Sequence, residues 1–520
     1  MPNNGHFLHL LDRLNQIGVS LSREKDLGRL LETILLAAKE LANADAGTLY
    51  LVEDGMLRFE ILRTDSLGIA FGGTSGKAPT FTPIPLCLKD GSPNDDMVVA
   101  CAVINDRTIN IDDAYDIGAY DFSGTRLFDE KTGYRSKSFL TVPMKNHENE
   151  VIGVLQLINA LDDDGNIVPF SAASQQLVES LASQAAIALT NRQLIEQLEK
   201  LFESLIQLIN TAIDDKSPYT GGHCERVPEL TMMLAEAVDA ADYGPFKDFC
   251  MDAADRYELK IAGLLHDCGK ITTPVHVVDK ASKLQTLFDR IELIDTRFEV
   301  LQRDLEIALL RRQIDEAGYQ QQQQQLVSDQ QFLRQANLGG EFMSAQDVAR
   351  VRQIAAYRWR NPVGETCSFL SQEEADNLCI ARGTLNEQER AIINHHIDVT
   401  IQMLEALPWP RHLQHVPEYA GGHHERMDGK GYPRHLTREQ MSVPARVMAI
   451  ADIFEALTAS DRPYKPGKTL SEALAILRRM KQDQHIDPDL FDIFEREKVY
   501  LRYAERFLDP SQNDLDSNPA

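Results

Sequence analysis

Only seven of the 520 residues are cysteine, at positions 87, 101, 224, 250, 268, 367 and 379, and no two form a Cys-x-x-Cys pair. An odd, scattered set excludes a disulfide framework and a zinc ribbon, and predicts reduced thiols in a cytoplasmic protein. No apolar run approaches the ~18–20 residues of a membrane span. The stretch from Met1 to Ser22 also lacks a basic segment followed by an apolar one, so neither a span nor a secretory signal is expected. Positive charge is short as well: 53 Lys and Arg against 79 Asp and Glu leave a net charge of −26. That balance argues against a nucleic-acid polymer or an anionic membrane as partner. A compact anionic ligand would need a local positive site, such as metal ions.

What remains is ordinary globular material, 43% hydrophobic and 25% charged, enough for sizeable cores in several domains. Leu27 to Asp45 has apolar residues at helical spacing. Two β-rich runs follow around Asp54-Gly55, a hairpin signal. Further strands are predicted at VVACAVINDRTINI, SFLTVPMKN and EVIGVLQLINA, the last two joined by the polar turn HENE. Helix, hairpin, variable middle, hairpin and helix describe an α+β module, an antiparallel sheet flanked by helices.

Residues 22–190 resemble a GAF sensor domain, through TGYRSKSFLTVPMKN, VIGVLQLINA and Phe170 opening the exit helix. Cyclic-nucleotide-binding GAF domains carry an Asn-Lys…Phe…Asp-Glu signature. Asn159 and Phe170 fit it, but Ala160 stands for the Lys and Ser174-Gln175 for Asp-Glu. The resemblance implies the fold rather than a cyclic nucleotide, and a GAF domain used only for dimerisation stays open. From 174 to 214 there is neither Pro nor Gly, and Leu194, Leu198, Leu201, Leu205, Leu208 and Ala212 step by 4, 3, 4, 3, 4. So narrow a seam predicts a long linking helix that pairs in a parallel homodimer; burial within one chain is the alternative.

Beyond residue 216 helical periodicity dominates. Four histidine clusters stand out: PYTGGHCERV with His223, GLLHDCGK with His266-Asp267, NHH with His395-His396, and GGHHERMDGKGYP with His423-His424. AIADIFEALTASDRPYK adds Asp452. Imidazole with carboxylate suits Fe, Mn, Ni or Zn. Adjacent His and Asp on a helix diverge by about 100°, which lets one pair serve two neighbouring ions.

The strings HDCGK and HHERMDGKGYP resemble the HD-GYP family of HD metal-dependent phosphohydrolases over roughly 205–290 and 385–480. The resemblance implies an all-α catalytic domain over 205–510 and a cyclic di-GMP phosphodiesterase giving pGpG and then GMP. It further implies two divalent ions, iron or manganese, activating a hydroxide. The implied ligands are His223, His266, Asp267, His396, His423, His424 and Asp452, with Asp267 bridging. His395 competes with His396, and the family register falls on His396. Asp267 and Lys270 are the implied catalytic residues. Lys270, Gly431, Tyr432, Pro433, Arg462 and Lys465 would meet the substrate. Tyr219 stands where three-metal members carry a Glu, which implies two ions, and Glu455 stands where an Asp is common. Cys224 and Cys268 adjoin ligands and read as packing residues.

His266 and His396 lie 130 positions apart, so residues 285–384 form an insertion. Leu287, Ile291, Ile294, Phe298, Leu301 and Leu305 predict a long amphipathic helix, Gln320 to Gln325 is a polar, helix-tolerant run, and Gly339-Gly340 marks a turn. Ser344 to Tyr357 is expected to return antiparallel, making a helical hairpin that is either a docking arm or a surface excursion. Two other functions stay open: hydrolysis of another cyclic dinucleotide, and a non-catalytic cyclic di-GMP sensor or scaffold that docks a diguanylate cyclase.

Overall fold

The computed structural model describes residues 4–24, 26–116, 120–216, 222–339, 342–460 and 467–515, with side chains from residue 12 onwards. Tyr219, Gly340, Arg462 and Lys465 therefore lie outside the described residues. The chain divides into two compact units, Met1–Phe202 and Glu203–Ala520. Among the described residues no helix is long and apolar enough to cross a membrane.

In the first unit, helices α1 (Asn4–Arg23) and α2 (Leu27–Ala42) precede strands β1 (Ala44–Glu53) and β2 (Met56–Thr64). The turn between the strands has positive φ at both Asp54 (49°) and Gly55 (73°), the conformation that twists two strands into a tight hairpin. Then follow β3 (Ile69–Phe71), β4 (Ile84–Pro85), α3 (Val98–Ile104), β5 (Ile109–Ile111), α4 (Ser123–Thr132), β6 (Phe139–Lys145), β7 (Val151–Leu161) and β8 (Ile167–Val168). The main sheet runs β3-β2-β1-β7-β6-β5, with β4 on β2 and β8 on β7, and every pairing is antiparallel.

Both faces of the central strands are buried. Leu49 and Leu51 of β1 and Leu155 and Leu157 of β7 pack with Ile34 and Leu35 of α2 and with Leu181 and Ala185 of the helix that follows β8. Tyr50 and Val154 point the other way, onto Val99 and Ala100 of α3. This corrects the sequence reading, which took Val98 to Ile104 for strand. The run is apolar throughout, so its periodicity cannot separate strand from helix, and the sheet already supplies a face for it to cover. Asn159, at φ 58°, accepts from the Lys137 N–H (2.7 Å) and donates to the Arg135 carbonyl (2.8 Å). Its amide is thus spent on holding the chain that enters β6.

Helix α5 (Ala172–Lys216) spans the unit boundary. The heptad leucines 194, 198, 201, 205 and 208 are 44%, 63%, 55%, 49% and 64% exposed, whereas Ile206, Asn210 and Ile213 are buried.

The second unit begins with α6 (His223–Asp239), α7 (Ala253–Leu265) and α8 (Val275–Val278). The insertion supplies α9 (Ile291–Leu310), α10 (Glu316–Asn337), α11 (Ala345–Ala355), a hairpin of β9 (Arg358–Arg360) and β10 (Thr366–Ser368), and α12 (Gln372–Leu378). Next come α13 (Glu387–Glu405), α14 (Val416–Gly421), α15 (Val443–Thr458), α16 (Leu470–Gln482), α17 (Pro488–Arg496) and α18 (Val499–Phe507). Helix α15 is buried on all sides, as expected of a central helix. Its Phe454 meets Phe494 of α17 and Tyr503 of α18, at centroid distances of 5.1 and 5.9 Å.

The insertion differs from the expected two-helix hairpin. Its antiparallel return starts already at Glu316, where the Asp315 side chain accepts from the Gly318 N–H and caps α10, and the glutamine run lies inside that helix. Gln combines good helix propensity with a polar side chain, so its composition does not mark a break. Leu287 is 95% exposed and precedes α9. Ile294, Phe298, Leu333, Val351, Ile354, Phe369 and Leu378 form a core of the insertion's own. Arg297 locks it by a bidentate contact to Glu374 (2.7 and 2.9 Å).

Phe298 is fully buried against Phe369 (centroids 4.6 Å). Phe298→Ala is expected to cost about 3–5 kcal/mol of local stability. The measurement is amide hydrogen exchange, which should quicken across α9 to α12 and stay unchanged in α6 and α15.

Candidate metal centre

Five helix ends or faces bring the candidate ligands together. His223 opens α6 behind Gly222, which has φ 81°. His266 closes α7, and Asp267 leads into a 3-10 turn, Cys268–Thr272. His396 faces inward from α13, His423 and His424 follow α14, and Asp452 lies on α15. His395 is exposed and sits 3.1 Å from Asp398, away from the cluster.

Asp267 is the centre. Its Oδ2 lies 3.2 Å from His223 Nε2 and 3.3 Å from His266 Nε2, and its Oδ1 lies 3.2 Å from His396 Nε2. Asp452 Oδ1 is 3.3 Å from His223 Nε2 and 3.9 Å from His266 Nε2. The donor atoms of His223, His266 and Asp267 lie within 4.8 Å of one another, and so do those of Asp267, His396, His423 and His424.

The outer shell sets the tautomers. Nδ1 of His266, His396 and His423 faces the carbonyls of Gly263, Ile393 and Ala420 at 2.7, 2.5 and 2.6 Å. A carbonyl only accepts, so each Nδ1 carries the proton and each neutral ring aims its Nε2 lone pair at the cluster. His223 is oriented instead by Glu455, whose Oε2 lies 2.5 Å from Nδ1 while Oε1 accepts from Arg226 Nε at 2.7 Å. A carboxylate behind a histidine is the usual support for a metal ligand. His223 Nε2, His266 Nε2, His423 Nε2 and Asp267 Oδ1 are buried without a hydrogen-bond partner. Lone pairs converging in a buried site, with no donor to satisfy them, fit a cation.

The electrostatics agree. Burial, reinforced by His266, pushes His423 down to about 4, and burial with His423 holds His424 well below its ordinary value. Burial opposes charge on Asp267, but Lys270 and His266 keep its carboxyl well below the usual range. Asp452 is lowered likewise, against burial, by His223 and His423. Burial also disfavours a charged His223, yet Glu455, Asp267 and Asp452 raise it well above normal. The field therefore favours positive charge between these groups, whether a proton or a metal ion carries it. Burial pushes the Cys224 thiol up to about 12 and the Cys268 thiol to about 11, so neither supplies a thiolate.

The substrate-side residues surround this cluster. Lys270 Nζ contacts Asp267 Oδ2, and Tyr432 stacks on His424 with centroids 4.8 Å apart and planes at 20°. At Gly431 a Cβ would fall 2.4 Å from the Arg426 nitrogen, so only glycine lets the loop through. Pro433 follows in the same loop, which Glu425 pins by accepting from the Arg434 and Leu436 N–H groups (2.7 and 3.0 Å). Sequence reasoning assigned no role to Glu425, Glu455 or Arg226. Glu425 had a visible signal, its place beside His424.

A GAF-domain family model matches residues 26–189. Two HD-domain models match residues 220–328 and 373–490. The chain thus carries one region similar to GAF domains followed by two similar to HD domains. The first HD match contains His223, His266 and Asp267; the second contains His396, His423, His424 and Asp452. A 3'3'-cGAMP-specific phosphodiesterase of Vibrio cholerae (number 1) is 39% identical over 117 residues, 22% of this chain and 26% of the relative. Another from that organism (number 3) is 25% identical over 291 residues, 56% of this chain and 37% of the relative. A cyclic di-GMP phosphodiesterase of Pseudomonas aeruginosa is 39% identical over 113 residues, covering 22% and 26%. The chain thus spans well under half the length of each.

Glu455→Gln keeps the size of the side chain and removes the charge behind His223. Metal affinity at the His223 side should fall about 10–100-fold, read by titrating metal into the stripped protein and counting ions per chain.

Proposed function

We propose that the HD domain hydrolyses cyclic di-GMP to linear pGpG and onward to GMP, in a metal-dependent reaction regulated by the GAF domain. The observation that carries this reading is Asp267, a buried carboxylate whose two oxygens face two separate imidazole groups. Two ions fit that arrangement, one at His223, His266 and Asp267 with Asp452 alongside, the other at Asp267, His396, His423 and His424. Borderline nitrogen with hard oxygen ligands suits iron or manganese. When bound, such a pair supplies Lewis acidity at the phosphoryl group and lowers the pKa of a coordinated water.

The chain's own residues do the rest. Burial works against charge on Lys270, but Asp267 and Asp452 hold it charged, and an ammonium there can stabilise negative charge developing on the phosphoryl oxygens. The ring of Tyr432, fixed against His424, gives the loop a flat face beside the cluster. Arg462 and Lys465, from a segment outside the described residues, are proposed as further phosphate or guanine contacts. Three relatives bear 3'3'-cGAMP-specific names, and this favours 3'3'-cGAMP as the second reading.

The exposed leucine seam of α5 supports a parallel homodimer. Covering each leucine is worth on the order of 1.5–3 kcal/mol before the costs of association.

Protein purified without air is expected to hold about two Fe or Mn ions per chain and to convert cyclic di-GMP to pGpG, then GMP, by chromatography of the products. Asp267→Ala should lose both ions and all turnover. Faster cleavage of 3'3'-cGAMP in direct competition would favour the second reading, and bound nucleotide without turnover would leave a sensor. Leu198→Glu with Leu205→Glu should halve the mass measured by light scattering.

A further inference from the structure

The last turn of α5 touches the two elements that carry one half of the cluster, all within the second unit. On the side of His223, Gln207 Nε2 donates to Glu225 Oε1 on α6 at 3.4 Å. Two turns further on, Asp214 faces the Gly222 backbone N–H, immediately before His223. On the side of Asp267, the Lys216 ammonium donates to the carbonyls of Lys270 (3.4 Å) and Ile271. These carbonyls belong to the 3-10 turn Cys268–Thr272, which follows Asp267 directly and contains Lys270.

The chemistry of that contact is a cap supplied from another helix. The Lys270 carbonyl already accepts from the Thr273 N–H at 3.1 Å; carbonyls at the end of a helical turn carry partial negative charge, which a lysine side chain satisfies further. The opposite side of the same turn has no slack. Gly269 donates its N–H to Thr400 Oγ1 at 3.0 Å, and a Cβ on it would fall 2.0 Å from the His396 carbonyl. The turn is therefore held between α13 and the Lys216 ammonium, so a shift of the α5 end reaches the turn bearing Asp267 and Lys270 through the Lys216 side chain. No such contact reaches His423 or His424 among the described residues.

We infer that Lys216 is a positioning residue, the cap through which α5 sets the Asp267–Lys270 turn and so governs the His223–His266–Asp267 half of the metal cluster. This rests on the reading of the cluster as a metal centre. It assigns GAF regulation a point of entry: α5 acts directly on the turn that bears Asp267 and Lys270, and on the His396–His423–His424 half only through the shared Asp267.

The test uses the full-length protein loaded with metal. Lys216→Met keeps the aliphatic stem and removes the cap; Lys216→Arg keeps the charge and donors. Lys260→Met, which removes an exposed ion pair to Glu203 of α5 (3.6 Å), is the control. Ions released to a chelator are counted against time, alongside kcat and KM. In Lys216→Met the ion at His223 and His266 should leave about tenfold faster, and the second ion, which shares Asp267, by a smaller factor. Its kcat should fall by a similar factor at unchanged KM. Lys216→Arg should restore both, and Lys260→Met should match the parent. A parent protein that holds no metal would sink the metal-centre reading itself. A parent with two ions and a Lys216→Met variant of identical release and kcat would overturn the positioning role alone. So would loss of both ions at the same rate with a lowered Tm, or failure of Lys216→Arg to restore the release rate.

Discussion

A single buried carboxylate organises the second unit. Asp267 offers one oxygen to His223 and His266 and the other to His396, so elements from both sides of the insertion must reach the same few cubic ångströms. Burying that charge is costly without compensation. Lys270 and the surrounding imidazoles supply the compensation, which ties α6, α7, α13 and the turn after α14 to one point. Helix α15 closes the arrangement from the core, carrying Asp452 towards the cluster and Glu455 behind His223. The outer contacts share a logic: backbone carbonyls orient three histidines and a carboxylate orients the fourth, leaving Nε2 of His223, His266 and His423 buried without a hydrogen-bond partner.

The insertion packs around a core cluster of its own. Helices α9 to α12 bury Ile294, Phe298, Leu333, Val351 and Phe369 together, so α7 and α13 are held at fixed separation by a packed body rather than a long loop. An unstructured excursion would add only a little closure entropy, since each doubling of loop length costs about 0.6 kcal/mol. Its mobility beside the site would be the greater burden. Lys280, buried in a two-pronged pair with Glu389 (2.7 Å to each oxygen), fastens the start of the insertion to the first turn of α13.

The candidate site was largely legible because its residues come in short strings. His-Asp before Gly-Lys and His-His-Glu before Asp-Gly-Lys-Gly-Tyr-Pro are dense enough to be read without neighbours. Glu455 was not legible in its role. It lies 232 positions from His223, and a glutamate on a buried helix means nothing until its partner is known. The first unit shows the same divide. Asp54-Gly55 marked its hairpin locally, through backbone conformations that those residues tolerate. The run from Val98 to Ile104 misled, because seven consecutive small and apolar residues suit a buried strand and a buried helix alike. In the insertion the apolar spacing marked α9 correctly around Ile294 and Phe298, but the glutamine run hid α10, whose few apolar residues face a core assembled from distant segments.

The sequence by itself determined the order of the two units and which side chains are of metal-ligating type. These depend on residue type and on spacing within a turn or two of chain. The tertiary structure decided which neighbour of a pair is used, with His396 in the cluster and His395 in solvent, and which carboxylate orients His223. It also decided that the end of α5 caps the turn bearing Asp267 and Lys270. Those outcomes turn on distances between side chains far apart along the chain, set by how helices pack, and no local pattern encodes them.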